Sequence, residues 1–240
     1  MRRIKYIFMA VLLATMVSSC TFVHVNSDIF TNITHGGGTK VVASNVYTTS
    51  DYEVPDFDRM DIYLTADVTY EMTEGEPSVS IYAPENLMDY LHFSVNNGCL
   101  MVQYSENIRV NSLKELKINI QSSTLKEVNI LGAGDVDIPS KLVCDSFEVS
   151  VKGAGDVEVN SLQALGEVKI LIQGAGDIDI NHVECDAVTA LIQGAGDVDI
   201  AGRCNTADLT IQGAGDIDVR GLECEDVSSK VQGMGEIVRR

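Results

Sequence analysis

Gly132-Ala133-Gly134-Asp135-Val136-Asp137-Ile138 is the stretch that decides the fold. Its core, Gly-Ala-Gly-Asp, returns at residues 153–156, 174–177, 194–197 and 213–216, and a worn Gly-Met-Gly-Glu stands at 233–236. The first glycines lie 21, 21, 20, 19 and 20 residues apart. A fixed period of this size marks a solenoid, whose units cannot bury their apolar faces alone and succeed only as a stack.

Aligning the units on the first glycine shows why. Two residues before it come Ile130, Val151, Ile172, Ile192, Ile211 and Val231; four before it come Val128, Val149, Ile170, Ala190, Leu209 and the exception Ser229. After the corner, Val136, Val157, Ile178, Val198, Ile217 and Ile237 share one place, and Ile138, Val159, Ile180, Ile200 and Val219 another. Both segments alternate with period two and are rich in β-branched residues, so each is a strand with one buried face. The paired glycines between them (Gly132 and Gly134, Gly153 and Gly155, Gly174 and Gly176, Gly194 and Gly196, Gly213 and Gly215) are structural corners, where a missing Cβ lets the backbone bend or take positive φ. The fold class is all-β: a parallel β-helix of about 20 residues per coil, with equivalent strands stacked in parallel about 4.8 Å apart.

Polar residues form columns as well. Gln173, Gln193, Gln212 and Gln232 stand just before the glycines, where stacked amides can bond along the axis. Asp135, Asp156, Asp177, Asp197, Asp216 and Glu236 follow the corner, and Asp137, Glu158, Asp179, Asp199 and Asp218 make a second column. Carboxylates stacked about 5 Å apart repel by roughly 1 kcal/mol in water and about 3 kcal/mol at a protein surface. Two things could relieve them. Solvent can screen them, with the first column also accepting backbone N–H groups at the corner. Alternatively, Ca²⁺ could bind along Asp135, Asp156, Asp177, Asp197 and Asp216. The first is the expectation, because Ca²⁺ takes six or more oxygens and a flat column supplies few.

The other end of the chain carries an address. Arg2, Arg3 and Lys5 precede a short apolar run, and Val17-Ser18-Ser19-Cys20 resembles a bacterial lipobox. Residues 1–19 are thus read as a lipoprotein signal peptide, and Cys20 as the lipidated residue that anchors the chain to a membrane. Thr21 after the cysteine favours the outer membrane, facing either the periplasm or the cell surface. Removing the signal takes three basic residues, and the net charge from −18 to −21. Such a chain is not expected to bind nucleic acid. With no Trp and 6% aromatic residues, an aromatic sugar-stacking platform is not expected either.

Residues 20–50 read as a flexible tether rich in Thr, Asn, Ser and Gly, with His24 and His35 solvated in it. Residues 51–240 are the β-helix domain, with an irregular front at 51–123 and regular coils at 124–240. In the front, Thr65-Ala66-Asp67-Val68 looks like an eroded corner, and Asn97-Gly98 is a two-residue hairpin turn between strands at 91–96 and 99–104. That hairpin suits a cap over the first coil. At the far end, Arg239-Arg240 follows a half-formed corner, so self-association through this edge is a further expectation.

Cys144, Cys185, Cys204 and Cys224 fall 12, 11, 10 and 11 residues after their glycines, which makes them one repeat position, with Leu165 filling it in the intervening coil. A place that takes Leu or Cys is a core place. Disulfides among Cys185, Cys204 and Cys224 stay open, and no Cys-x-x-Cys occurs. His92 and His182 stand without a paired nucleophile and orienting acid, and every coil repeats the same carboxylates in like surroundings. Catalysis by carboxylates needs unlike surroundings, so the chain reads as a non-enzyme; the alternative is a Ca²⁺-dependent carbohydrate-active β-helix.

The lipobox, the opening at 57–69, the Asn97-Gly98 hairpin and the recurring Gly-Ala-Gly-Asp-Val-Asp-Ile together resemble the head GIN domain family, described as auto-transporter adhesin heads of envelope lipoproteins. The resemblance runs from Tyr47 to the C-terminus. It implies a right-handed, single-stranded β-helix in a surface or periplasmic setting. The chain itself reads as a binding module, with a glycan, an envelope polymer or an envelope protein as the candidate partner. It supplies no catalytic residues.

Overall fold

The computed structural model describes residues 39–105 and 108–239. The signal peptide, Cys20, His24, His35 and Arg240 lie outside them. The front of the chain holds nine strands: β1 (Thr39–Val42), β2 (Tyr47–Glu53), β3 (Arg59–Ile62), β4 (Asp67–Met72), β5 (Ser78–Pro84), β6 (Leu91–Asn96), β7 (Cys99–Tyr104), β8 (Ile108–Asn111) and β9 (Lys117–Ser122). The repeats follow as β10 (Glu127–Ile130), β11 (Asp135–Cys144), β12 (Phe147–Val151), β13 (Val157–Ala164), β14 (Glu167–Ile172), β15 (Ile178–Glu184), β16 (Ala187–Ile192), β17 (Val198–Ile211), β18 (Ile217–Asp218), β19 (Leu222–Val231) and β20 (Ile237–Val238).

These strands form two parallel walls of a β-solenoid of about 5 turns and roughly 21 residues per turn. One wall stacks β3, β10, β12, β14, β16 and the second half of β17. The other stacks β9, β4, β11, β13, β15 and the first half of β17. The aliphatic columns read from the repeat face inward: Ile130, Val151, Ile172, Ile192 and Ile211 from one wall and Val136, Val157, Ile178, Val198 and Ile217 from the other are buried in one continuous core. Each coil covers its neighbour's apolar face, which a lone coil could not do.

The front terminates this stack with antiparallel strands. The hairpin of β6 and β7 turns at Asn97 and Gly98, both at positive φ, and β7 lies along β3, so the hairpin closes the first wall. On the second wall β5 pairs antiparallel with β9, and β2 antiparallel with β5. The folded unit therefore reaches into the stretch read as a tether, where composition hid two strands. β1 pairs with β8, and its Val41 packs with Leu87 in a small separate core. The eroded corner is real: Gly132 and Gly134 sit directly over Leu64 and Ala66, and Val136 pairs with Val68.

One assignment is corrected. The core place in the second coil belongs to Ala164, the register partner of Cys144, while Leu165 is 77% exposed. A register irregularity between Ile138 and Lys141 adds a residue to the first coil, so counting from the glycine overshoots by one in the second. Cys204 pairs with Cys224 in register, and the five described cysteines are free thiols.

Candidate functional site

The corner fixes where the acids stand. A Cβ on Gly153 would lie 1.7 Å from the Gly132 carbonyl oxygen, and one on Gly155 would lie 2.1 Å from that of Gly134. None of the corner glycines adopts positive φ, so the expectation of left-handed backbone there is replaced by a different cause: coils approach too closely for any side chain. The same approach lets Ala154 and Ala175 donate their N–H groups to Gly132 and Gly153, both at 2.9 Å.

Directly after the corner, each aspartate of the first column reaches the next coil. Asp135 Oδ1 accepts the Asp156 N–H at 3.0 Å, Asp156 the Asp177 N–H at 2.9 Å, and Asp177 the Asp197 N–H at 2.8 Å. Asp197 then accepts from Asp216 at 2.8 Å, and Asp216 from Glu236 at 2.7 Å. Each acid thus ties its own coil to the next through a charge-assisted bond to a backbone donor. Alongside, Gln173 Nε2 donates to Gln193 Oε1 at 2.8 Å, and Gln193 Nε2 to Gln212 Oε1 at 3.0 Å.

The second column is held differently, by side chains: Glu158 Oε1 accepts from Asn181 Nδ2, one coil on, at 3.0 Å. Asp137, Glu158, Asp179, Asp199 and Asp218 are consecutive register partners on the outer face of one wall. Partial burial first, and then the neighbouring carboxylates, raise Asp137, Asp179 and Asp199 above the ordinary carboxylate range. At the end of the row Arg220 bonds Asp218 with its guanidinium and backbone and lowers it. The row also runs on past the first coil. Asp137 pairs with Thr69, Thr69 with Asn119, Asn119 with Ser80 and Ser80 with Asp51. One straight line of polar side chains therefore crosses nine strands.

Among the described residues no three His, Cys, Asp or Glu side chains are grouped to hold a metal ion. The column weighed for Ca²⁺, Asp135 to Asp216, spends one oxygen per residue on a backbone amide, which leaves it poorly suited to a cation needing six or more. His182 lies 4.0 Å from Glu184 on an exposed surface, and His92 is exposed on β6.

The stacked coils, the hairpin cap and the corner columns are matched by a family model described as "Putative auto-transporter adhesin, head GIN domain", over residues 56–238. The chain belongs to the head GIN domain family. Solved structures similar to this GIN domain include a "putative adhesin" from Bacteroides fragilis, 25% identical with a TM-score of 0.69, covering 83% of this chain and 100% of that one. A "putative lipid binding protein" from Parabacteroides distasonis has a TM-score of 0.72 at 21% identity, covering 84% and 100%. A "putative adhesin" from Parabacteroides merdae has a TM-score of 0.67 at 18% identity, covering 83% and 99%. The last two share the fold of the GIN domain. The curated proteins contain no match.

Proposed function

We propose that this chain is a lipid-anchored, non-enzymatic protein of the cell envelope, placed at the outer membrane, that presents a rigid acidic β-solenoid for adhesion. The observation that carries the reading is the row Asp137, Glu158, Asp179, Asp199 and Asp218, five carboxylates held in register on one rigid face. A backbone already fixed in a ladder loses little freedom on binding, which favours a surface that must hold a partner. The negative row attracts partners with cationic or hydrogen-bond-donating groups and repels polyanions. The lipobox-like residues 17–20 support attachment through Cys20. The membership of a family described as adhesins supports a binding role. The sameness of the acids from coil to coil supports a non-enzyme.

Two measurements test the reading. Metabolic labelling with a radioactive fatty acid should mark the chain, and Cys20→Ala should abolish the label and release the protein from membranes. Binding of the purified full chain in detergent to immobilised envelope polymers should weaken at high salt and in the variant Glu158→Gln/Asp179→Asn/Asp199→Asn. Binding unchanged by both would refute the acidic face as the contact.

A further inference from the structure

Where the polar row leaves the coils, its chemistry changes. Strands β4, β9, β5 and β2 enclose a trough of about 610 Å³, with Asp51, Thr69, Glu71, Ser80, Asn119 and Gln121 around it. Ser78 and Ser80 keep the floor low, because β5 places these short side chains outward while Val79 and Ile81 are fully buried below. The taller walls are held in place. Ser80 Oγ donates to Asp51 Oδ1 at 2.7 Å, and Gln121 Nε2 donates to Glu71 Oε2 at 3.0 Å. Two residues beyond Ser80 on the same face stands Tyr82, with Tyr47 stacked on it at a centroid distance of 5.1 Å and 21° between the rings.

We propose that this trough binds a saccharide, specifically a neutral or amino-bearing oligosaccharide segment. The inference rests on the reading of the chain as a binding module and names one site and one ligand class for it. Hydroxyls of Thr69 and Ser80 both donate and accept, the amides of Asn119 and Gln121 do likewise, and the carboxylates of Asp51 and Glu71 accept. Such a mixture complements a sugar, whose hydroxyls also do both. The carboxylates here and in the adjoining row oppose uronic or sialic acids and favour an amine. A peptide strand would instead seek an open sheet edge, which here is the outer edge of β2 at the rim, whereas β5, β9 and β4, which form the trough itself, are paired on both sides. An acyl chain would need exposed apolar side chains, whereas the two aliphatic residues of the trough, Val79 and Ile120, are fully buried beneath its polar ones. The Tyr47–Tyr82 stack adds a ring face on which the C–H face of a pyranose can pack, so the aromatic platform that composition argued against is assembled from two residues 35 apart in sequence.

The test is a glycan array of neutral, amino-bearing and acidic oligosaccharides, probed with the full chain in detergent, followed by titration of the strongest binder. Two variants accompany it, Asn119→Ala/Gln121→Ala and Ser80→Phe, each checked for an unchanged melting temperature. Signal is expected on neutral or amino-bearing sugars, with binding about tenfold weaker in the first variant, as the loss of one or two hydrogen bonds to a polar ligand would give. Filling the trough in Ser80→Phe should abolish it. No signal on any sugar overturns the proposal, as does a preference for acidic sugars. Sugar binding that survives both trough variants yet falls in the acidic-row variant also overturns it, while leaving the adhesive reading intact. A chain that binds envelope polymers by its acid row but no sugar separates the two in the same way.

Discussion

Asp156 Oδ1 accepts the backbone N–H of Asp177, one coil later, at 2.9 Å. The bond is repeated at every corner from Asp135 to Glu236, so the acid that looks like a surface charge is a stitch between coils. Asp156→Asn keeps an acceptor oxygen and should leave stability nearly unchanged. Asp156→Ala leaves the Asp177 N–H to water and should cost about 1 kcal/mol, the net worth of an ordinary hydrogen bond, because exposure to solvent removes most of the advantage of the charge. Urea denaturation of the two variants checks this: equal midpoints would deny the stitch.

Gly155→Ala puts a methyl group 2.1 Å from the Gly134 carbonyl oxygen, a backbone atom that cannot step aside. Destabilisation on the order of 3–5 kcal/mol is expected. Gly75→Ala serves as control, since its Cβ would meet only Thr73 Oγ1 at 3.6 Å, an ordinary contact. Thermal melts of the pair should differ widely.

The second acid row makes stability depend on pH in an unusual direction. Asp137, Asp179 and Asp199 have folded pKa values raised above the ordinary carboxylate value, so the folded state holds their protons more tightly than the unfolded chain. Their contribution is present at low pH and is lost as pH rises through the raised values. Asp218 is lowered and works the opposite way, losing its contribution in acid. The three raised groups push the melting temperature up as pH falls from neutrality toward the ordinary carboxylate range, and Asp218 opposes them. Asp179→Asn should raise stability by up to about 1 kcal/mol at neutral pH, as removal of like charges directly opposite does, and should flatten the climb. Melting curves across this range decide the matter.

Burial pushes the thiols of Cys144 and Cys185 up to about 11 and that of Cys99 up to about 12, and it raises Cys204 further, beside Cys224. Thiolate is the reactive form, so alkylation of these four by iodoacetamide near pH 8 should be slow in the folded chain and fast in urea. Mass spectrometry of the labelled peptides measures it, and rapid labelling of Cys204 in the native state would contradict its place in the core.

The coils were legible because the same local message is written at each turn. Val128 and Val149, or Val136 and Val157, mark partners by occupying equal places, and the structure pairs them as such. Legibility fell where one coil departs from the count. The irregularity between Ile138 and Lys141 shifts the register, so Ala164 takes the core place and Leu165 the surface. It fell again at β1, whose four residues are too short a run to announce a strand, and at β2, whose Thr- and Ser-rich sequence carries too few apolar residues; β2 is held by its backbone ladder to β5. The corner acids were legible as a column that accepts backbone N–H groups, while the identity of the donor, the equivalent acid's own N–H one coil later, follows only from how the coils stack.

By itself the sequence determined the solenoid, its corners and the columns that face in and out, because a repeat of about 20 residues leaves each strand one equivalent neighbour on either side. Only the tertiary structure decided how the front joins the stack. The antiparallel placement of β2 and β5 beside β9 brings Asp51 and Ser80 into line with the row of coil acids, and brings Tyr47 against Tyr82. Strands of unlike sequence and long separation carry no shared pattern to declare their pairing; it is settled by which sheet edge remains open once the coils have stacked.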